Sequence, residues 1–408
     1  MIRITHINIQ NFKSLLDVKI IFPEESPVMF LTGLNGAGKS TLLQAIDFIG
    51  ALMRGNMEDW FSRRKWEDRD LFTRIHRAKQ KILIQTTIRG IIGNQAFEWK
   101  GQYNPKPSMM RCTAEIIEIN KERILSVKDG RLTMAGSEER TVDFTYTGSV
   151  LSQLNDKSLD AAFDGLSRIK HHLAAIHSFD MLSPRDMKKR TRKSSSIGMS
   201  GESISGYMAN LDEAQRNLIQ KMVSHLHPWI SKFDIRSFRS GWKELRIYED
   251  IGTYPDPHTG SDAKWIIPRS LHHINDGTLR LLAIAAALVS EDSILLFDEI
   301  ENGFNPHIIN KLVNLLFLAE HRQIVVTTHS PEILQYIPDS YVADCVRFLY
   351  RKDDASTGIA NLFDSAEANR KLTVLGPGEV FLDLDLEALA REFQASEEKE
   401  KKADRGPA

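Results

Sequence analysis

The sequence predicts an α/β fold whose central parallel sheet is assembled from both ends of the chain. Residues 28–32 form an apolar run that is followed by a glycine-rich turn and a helix with apolar residues on one face. Residues 265–350 alternate between helical patterns and short apolar runs, as expected for parallel strands covered by helices. We therefore predict a mixed or parallel sheet core, an antiparallel β meander and an inserted helical subdomain.

The composition is that of a globular protein without a membrane-spanning segment. Of 408 residues, 42% are hydrophobic and 26% are charged, and the net charge is −1. Any nucleic-acid contact must therefore depend on a local patch. The longest apolar run, at 281–289, is far shorter than the roughly 20 residues that cross a bilayer. With only two cysteines, Cys112 and Cys345, and no secretory signal, we expect a cytoplasmic protein with no membrane contact.

The elements follow one another in a definite order. Alternating apolar residues in 1–27 predict two paired strands before the run at 28–32. Short β-rich runs separated by turn residues at 80–146 predict the meander, and 150–235 is predicted to be helical. The charged tail from Glu397 is predicted to be disordered. We expect a first lobe at 1–150, a helical insert with a basic segment at 151–250, a second lobe at 251–350 and an extension at 351–408.

The strongest motif is GLNGAGKST at 33–41, which matches G-x-x-x-x-G-K-[ST]. It lies between an apolar strand and an amphipathic helix, where backbone N–H groups can converge on a phosphate. Lys39 is predicted to reach the β- and γ-phosphates of ATP, and the Ser40 hydroxyl to hold Mg²⁺. The predicted nucleotide contacts are Asn35, Gly36, Ala37, Gly38, Lys39, Ser40 and Thr41.

Two further apolar runs end in polar side chains. SILLFDE at 293–299 predicts a buried strand that delivers Asp298 and Glu299 at its carboxyl end, where α/β proteins bind ligands. Asp298 is predicted to hold Mg²⁺ and Glu299 to orient the attacking water. QIVVTTHSP at 323–331 predicts a second strand, which ends beside His329.

A fourth motif, INDGTLRLLAIAAAL from Ile274, predicts a turn that opens a helix and offers N–H groups to a phosphate. Together, the four motifs resemble the Walker A, signature, Walker B and switch-histidine elements of ABC ATPases, in that order. NFKS at 11–14 is similar to the RecF, Rad50 and SMC branch of that family. DGTLRLLA and DEIENGFNP resemble compact ATPases of prokaryotic phage-defence systems, of the OLD, Gabija, Septu and PARIS types.

The resemblance implies a fold and roles for particular residues. It implies the ABC-ATPase (P-loop) fold, with Lys39, Glu299 and His329 in catalysis. Asn275, Gly277 and Thr278 would form the signature turn, and residues 302–305 a loop that contacts a second subunit. Lys13 and Ser14 would flank the nucleotide. The signature serine of the family is replaced by Asn275. No glutamine is assigned to the Q-loop, and Gln153 is a candidate that no motif supports.

The basic segment at 185–193 holds six cations. They could neutralise nucleic-acid phosphates, dock an acidic protein or form a solvated loop. Asp383 and Asp385 are interpreted as the start of a helix, because too little chain follows them for a nuclease domain.

Three functional classes follow from the resemblance. The first is an ATPase that acts as a sensor in anti-phage defence and controls a separate nuclease or toxin through ATP-dependent homodimers or higher homo-oligomers. The second is a RecF-like repair ATPase that clamps DNA. The third is an ATP-bound scaffold with little turnover that holds a toxin inactive.

Overall fold

The computed structural model describes residues 2–73, 83–104, 110–128, 130–136, 140–141, 146–255, 261–319 and 321–404. Within them the chain forms an α/β fold with three sheets, two of them antiparallel. The predicted fold class is confirmed in this respect.

The central sheet has six strands and contains both ends of the chain. In spatial order they are β10 (Ile176–Ser178), β14 (Ile294–Phe297), β15 (Gln323–Thr327), β3 (Val28–Gly33), β16 (Val346–Arg351) and β17 (Thr357–Asn361). All neighbours are parallel except β16 and β17, which form a hairpin. Parallel neighbours end at the same edge of a sheet, so the carboxyl ends of β3, β14 and β15 lie together.

The second sheet is an eight-stranded antiparallel meander. It has the order β2 (Leu15–Ile21), β1 (Ile2–Phe12), β4 (Ile84–Ile92), β5 (Gln95–Tyr103), β6 (Cys112–Ile119), β7 (Glu122–Lys128), β8 (Arg131–Met134) and β9 (Arg140–Thr141). The predicted meander is thus confirmed, and the first two strands of the chain join it. A further strand predicted at 142–146 falls almost wholly outside the described residues.

The helices cover the central sheet and fill the insert. They are α1 (Lys39–Arg54), α2 (Met57–Arg64), α3 (Asp156–Ala162), α4 (Leu166–Ala174), α5 (Pro184–Met187), α6 (Ile204–Met208), α7 (Glu213–Leu226), α8 (Asp276–Val289), α9 (Pro306–Phe317), α10 (Pro331–Gln335), α11 (Asp339–Cys345), α12 (Ala366–Leu372), α13 (Pro377–Asp383) and α14 (Leu386–Asp404). Among the helices of the described residues, none is both long enough and apolar enough to cross a membrane.

The central sheet separates two hydrophobic cores. Val28 and Phe30 pack into one core with the helices of the carboxyl half, whereas Met29 and Leu31 pack into the other with α1 and the meander. The same alternation runs through β14 and β15. Both faces of these strands are therefore buried, which explains why their sequences are continuous apolar runs.

The insert predicted to be helical at 151–250 also contains strands. A third sheet consists of β11 (Ile230–Ser237), β12 (Lys243–Pro255) and β13 (Asp262–Ser270), all antiparallel. Its buried residues recur at every second position, as in Leu245 and Ile247, and this is the period of a strand. The short strand β10 completes the edge of the central sheet. The helical prediction was therefore wrong at β10, β11 and the first part of β12.

Two predicted domain boundaries fall within strands of the structure. The boundary at 250 falls inside β12 and the one at 350 falls inside β16. A strand is held by its neighbours along its whole length, so a boundary cannot pass through it. The lobes predicted at 1–150 and 251–350 also share the central sheet and do not form separate sheets.

The carboxyl-terminal tail is helical through residue 404, so the prediction of disorder from Glu397 was wrong for that part. Glu397 accepts hydrogen bonds from Tyr350 Oη at 3.2 Å and Lys352 Nζ at 2.6 Å. The Phe393 ring lies 6.2 Å from the rings of Phe348 and Tyr350. These contacts anchor α14 on β16. The charged residues after Glu397 extend a helix that is already anchored. The predicted helix start is confirmed at Asp385, whose Oδ1 accepts from the backbone N–H groups of Glu387 and Ala388 at the start of α14. It was wrong at Asp383, which is the last residue of α13.

Candidate functional site

The glycine-rich turn joins the carboxyl end of β3 to the first turn of α1. Residues 34–36 are exposed, and α1 begins at Lys39. Such a turn at a helix N-terminus presents several N–H groups to one anion. The structure thus brings one stretch of predicted contacts together, namely Asn35, Gly36, Ala37, Gly38, Lys39, Ser40 and Thr41.

The Lys39 side chain lies across this turn. Its ammonium donates hydrogen bonds to the carbonyl oxygens of Gly33 at 2.9 Å and Leu34 at 3.0 Å. Burial lowers the pKa of Lys39 to about 8, although the charges of nearby carboxylates act to raise it. The cation is therefore held where an incoming polyphosphate would replace two neutral acceptors with charged ones.

Ser14 and Thr357 lie beside Gly38 of the glycine-rich turn. The Ser14 hydroxyl is 2.9 Å from Thr357 Oγ1, and the Thr357 N–H donates to the Ser14 carbonyl at 2.9 Å. Gly38 has φ +102°, and an added Cβ would lie 2.3 Å from Thr357 Oγ1. Glycine is therefore required at this position on both conformational and steric grounds.

Lys13 lies on the side of α1. Its ammonium donates to Gln44 Oε1 at 3.0 Å and sits 3.3 Å from the centroid of the Trp66 ring. Burial lowers the pKa of Lys13 to about 8, and the charge of Arg64 lowers it further. Lys13 thus borders the second turn of the helix that the glycine-rich turn opens.

Asp298 directly follows β14 and joins the turn to the neighbouring strands. Thr327 Oγ1 donates to Asp298 Oδ1 at 2.5 Å and accepts from the N–H of Glu299 at 2.8 Å. The Ser40 hydroxyl also hydrogen-bonds Asp298, while burial raises the pKa of this carboxyl. Carboxylate and hydroxyl oxygens are the hard ligands that Mg²⁺ prefers, so Ser40 and Asp298 fit the metal that the motif implies.

Glu299 lies beside His329 at this edge of the sheet. His329 Nε2 is 3.7 Å from Glu299 Oε1, and Asn302 Nδ2 donates to Glu299 Oε2 at 2.5 Å. Glu299 has φ +46°, which is costly for a residue with a Cβ and is found preferentially at functional sites. The Glu299 side chain is 47% exposed and that of His329 37%, so both are accessible to a substrate.

Sequence reasoning missed a fourth strand end at this edge, that of β10. Asp180, two residues beyond β10, pairs with Arg64 at 2.6 Å, and Arg64 pairs with Asp47 at 2.8 Å. These three side chains are only 2–3% exposed, and breaking such a pair costs about 3–5 kcal/mol. The charge of Asp180 helps to raise the pKa of Asp298. The run before Asp180 could have indicated a strand ending in an acid, but His177 and Ser178 interrupt its apolar pattern.

The predicted signature turn belongs to the start of α8. Asn275 caps this helix, with its Oδ1 accepting from the N–H of Thr278 at 2.8 Å. A Cβ on Gly277 would lie 2.4 Å from the Gly303 carbonyl oxygen, so the turn packs closely against the loop after β14. The Thr278 hydroxyl is buried and has no hydrogen-bond partner among the described residues. Within the described chain, the hydrogen bonds and ion pairs of 275–278 do not reach 33–41.

Gln153 does not lie near these groups. It neighbours Gly55, which ends α1 at the opposite side from the glycine-rich turn. The 16 residues of α1 span roughly 24 Å, so Gln153 is too distant for a Q-loop role.

The basic segment is only partly free. Lys188 pairs with Asp276 at 3.1 Å, Lys189 with Asp186 at 2.6 Å and Arg190 with Glu244 at 3.1 Å. These cations therefore tie the segment to α8 and to β12. The three predicted roles of the segment, which are nucleic-acid binding, docking of an acidic protein and a solvated loop, remain predictions, and Lys189 and Arg190 are still 63% and 55% exposed in their ion pairs.

The lowered pKa of Lys39 predicts a pH dependence of ATP binding. Above pH 8, a growing fraction of the free protein carries a neutral Lys39, and polyphosphate binding must restore the proton. Affinity should therefore fall as pH rises from 7 to 9, with proton uptake on binding. Calorimetry in buffers of different ionisation enthalpy measures this uptake.

The control for this prediction is Lys13→Met, because Lys13 also has a pKa of about 8. This variant should retain the proton uptake if Lys39 is its source. Binding with the same affinity at pH 7 and pH 9, without proton uptake, would contradict the prediction.

Two family models match parts of the chain. Residues 2–237 match a family model described as an AAA ATPase domain. Residues 258–335 match a model described as an AAA domain, putative AbiEii toxin, type IV TA system. No curated protein matches the chain.

Several solved structures of Smc heads are similar in part. One, bound to the C-winged helix domain of ScpA, is 16% identical, with 88% of this chain and 98% of that one covered and a TM-score of 0.49. The SMC head domain from Thermotoga maritima is 12% identical, with coverages of 88% and 99% and a TM-score of 0.44. A head from Pyrococcus furiosus with an extended coiled coil, bound to the C-terminal domain of ScpA, is 12% identical, with coverages of 91% and 100% and a TM-score of 0.48.

The first family model spans more than half of the 408 residues and includes the glycine-rich turn, Lys39 and Ser40. The second includes Asp298, Glu299 and His329. The chain therefore belongs to the AAA ATPase domain family.

Proposed function

We propose that this protein binds and hydrolyses Mg²⁺·ATP at the carboxyl edge of its central sheet. The observation that carries this proposal is the meeting of Lys39 and Ser40 with the carboxylates that follow β14. Asp298 is hydrogen-bonded to Ser40, and its charge and that of Glu299 act on Lys39. A phosphate-binding turn beside two carboxylates has the groups needed for phosphoryl transfer to water.

Each group at this edge has a separate role in the proposed reaction. N–H groups of the turn hold the phosphates, and Lys39 exchanges its carbonyl partners for the β- and γ-phosphates. Ser40 and Asp298 would hold Mg²⁺, which when bound would neutralise charge on the phosphate oxygens. Glu299 takes the proton of the attacking water and His329 contacts the γ-phosphate.

Substitutions at Lys39 and Glu299 should separate binding from hydrolysis. Lys39→Ala removes a ground-state phosphate contact, so ATP binding should be lost. Glu299→Gln keeps the size of the side chain but removes the base, so ATP should remain bound while hydrolysis falls by about 10²-fold or more. Phosphate release and binding of a fluorescent ATP analogue measure the two effects.

Hydrolysis by Glu299→Gln at the wild-type rate would contradict the assignment of the base. A wild-type protein that binds ATP but releases almost no phosphate would instead favour the scaffold with little turnover. The control is Glu332→Gln, an exposed acid in the first turn of α10, which should match wild type.

We further propose that a second copy of the chain completes the site. The signature turn packs against its own loop at Gly303, and its contacts within the described residues do not reach 33–41. In a two-fold dimer, the turn of one subunit can close over the ATP of the other, giving two equal sites. ATP would hold the dimer together and hydrolysis would loosen it.

Complementation tests the shared site. The test needs a variant that inactivates the signature turn without distorting it. Gly277→Asp does not meet this need, because its Cβ would lie 2.4 Å from the Gly303 carbonyl oxygen. Asn275→Asp retains a helix cap but replaces an amide donor with a carboxylate that repels phosphate. Lys39→Ala and Asn275→Asp should each be inactive alone, while mixed dimers should regain one of two sites. Absence of recovery in demonstrated mixed dimers would mean that one chain completes its own site.

Asn275→Ser is the matched control, because serine also caps helices and its hydroxyl can donate to phosphate. This variant should hydrolyse ATP alone.

We assign the ATPase a regulatory role in prokaryotic anti-phage defence, with a separate nuclease or toxin as effector. The match to a model described as a putative AbiEii toxin of a type IV TA system supports a link to toxin systems. The chain expressed with its genomic neighbour should protect cells from a phage, and Lys39→Ala should abolish protection. DNA cleavage by the purified chain alone would contradict the separate effector.

A second candidate function is nucleic-acid clamping, as in RecF-like repair ATPases, and the insert supports it. Arg190 lies 4.5 Å from the ring centroid of Phe238, and Arg192 lies 5.9 Å from that of Trp242. Trp242 is 42% exposed. Cations interleaved with exposed rings can bind backbone phosphates and stack bases. The tertiary structure thus provides the aromatic residues that the basic segment itself lacks.

Oligonucleotide binding tests this surface. Trp242→Ala should weaken single-stranded DNA binding by about 1–3 kcal/mol, the effect of losing one stacking platform. Trp229→Ala is the control, since Trp229 is 43% exposed but lies at the other end of β11. Equal binding by both variants and by wild type would exclude this surface.

A further inference from the structure

Glu301 is an acidic side chain in the loop after β14 to which no sequence motif gave a role. Its Oε1 accepts three hydrogen bonds from the segment after β15. The donors are Thr328 Oγ1 at 3.0 Å, the His329 N–H at 2.7 Å and the Ser330 N–H at 3.2 Å. One oxygen atom therefore fixes the backbone on both sides of His329.

The loop after β14 and the segment after β15 are tied at two points. Thr327 binds the first end of the loop, through Asp298 Oδ1 and the N–H of Glu299. Glu301 binds the far end. Both ties include hydrogen bonds to a carboxylate, which are roughly twice as strong as neutral ones. Together they hold the backbones of Glu299 and His329 close to each other, and His329 Nε2 lies 3.7 Å from Glu299 Oε1.

The second oxygen of Glu301 is also buried. Oε2 has no hydrogen-bond partner among the described residues, so the hydrogen bonds of this carboxylate within them are the three at Oε1. The charge of Glu301 also acts on Lys39, which places the carboxylate within electrostatic reach of the phosphate-binding turn.

We propose that Glu301 is a positioning residue of the hydrolytic site. It holds His329 beside Glu299, so that the contact of His329 with the γ-phosphate and the contact of Glu299 with water are made in the same geometry. This inference rests on the proposed ATPase function and deepens it. It assigns to Glu301 no contact with ATP, so its loss should alter turnover and not nucleotide binding.

Two substitutions at Glu301 test the proposal. Glu301→Ala removes all three acceptor contacts, and because a misplacement of about 1 Å can cost about 10²-fold, kcat should fall by that order. The KM for ATP and the affinity for an ATP analogue should stay within about twofold of wild type. Glu301→Gln keeps an oxygen acceptor for the three donors and should recover most of kcat. Glu332→Gln is again the control.

A double-mutant cycle with His329 distinguishes positioning from a merely structural role. If Glu301 acts through His329, then Glu301→Ala should cause no further loss of kcat in a His329→Ala background. If the fold-decrease in kcat of the double variant equals the product of the fold-decreases of the two single variants, the proposal is overturned. An unchanged kcat in Glu301→Ala would also overturn it. Lowered thermal stability with an equal loss of ATP binding would likewise overturn it, by showing a structural brace.

Failure of the proposal can be told apart from failure of the proposed function. A wild-type protein that releases no phosphate contradicts the ATPase function itself. Normal hydrolysis by both wild type and Glu301→Ala contradicts only the role of Glu301.

Discussion

The parallel pairing of β3 with β15, and of β15 with β14, is the constraint on which the candidate site depends. It places Leu31 opposite Thr327 and Phe297 opposite Val326, so three strand ends from distant parts of the chain lie at one edge. The turn after β3 can contribute N–H groups and a cation, while the strands beside it contribute carboxylates and a histidine. Since both faces of these strands are buried, their register is determined by two hydrophobic cores and not by the polar groups at the edge.

The polar groups at that edge are linked rather than merely adjacent. Thr327 and Glu301 tie the loop that carries Asp298 and Glu299 to the segment that carries His329. Asp180, which belongs to the insert at 151–250, joins the same edge through its effect on the pKa of Asp298. Seven residues further on from Asp180, Met187 ends α5, and Lys188 then pairs with Asp276 at the start of α8. The insert therefore contacts both the carboxylate edge and the signature turn.

This arrangement offers a physical route by which nucleotide state could reach the insert. A second subunit that closes over ATP would contact the signature turn. Asp276, the first helical residue of this turn, is paired with Lys188. The same segment is held to β12 by Arg190 and Glu244. A partner or nucleic acid bound at the three-stranded sheet would be connected to the site through these ion pairs. Because they are exposed, each is weak alone, so the connection depends on their acting together.

The sequence by itself determined the parallel sheet, the meander and the chemistry of the three strand ends. Continuous apolar runs predict strands buried on both faces, and the polar residues that follow these runs are the groups that lie at the edge of the sheet. It could not show the three-stranded sheet, because a period of two is hard to detect in short runs interrupted by charge. It also could not show that Glu397 anchors the last helix, since its partners, Tyr350 and Lys352, are distant in sequence.

Only the tertiary structure decided which residues support the site. Glu301 contacts residues 27 to 29 positions away, and Asp180 meets Arg64 across 116 positions, so local pattern carries no sign of either contact. Lys188 and Arg190 belong to a run of cations in the sequence, and only folding placed the distant acids Asp276 and Glu244 beside them. Local sequence determines which element a residue joins, whereas pairing between distant residues depends on how the sheets and helices pack.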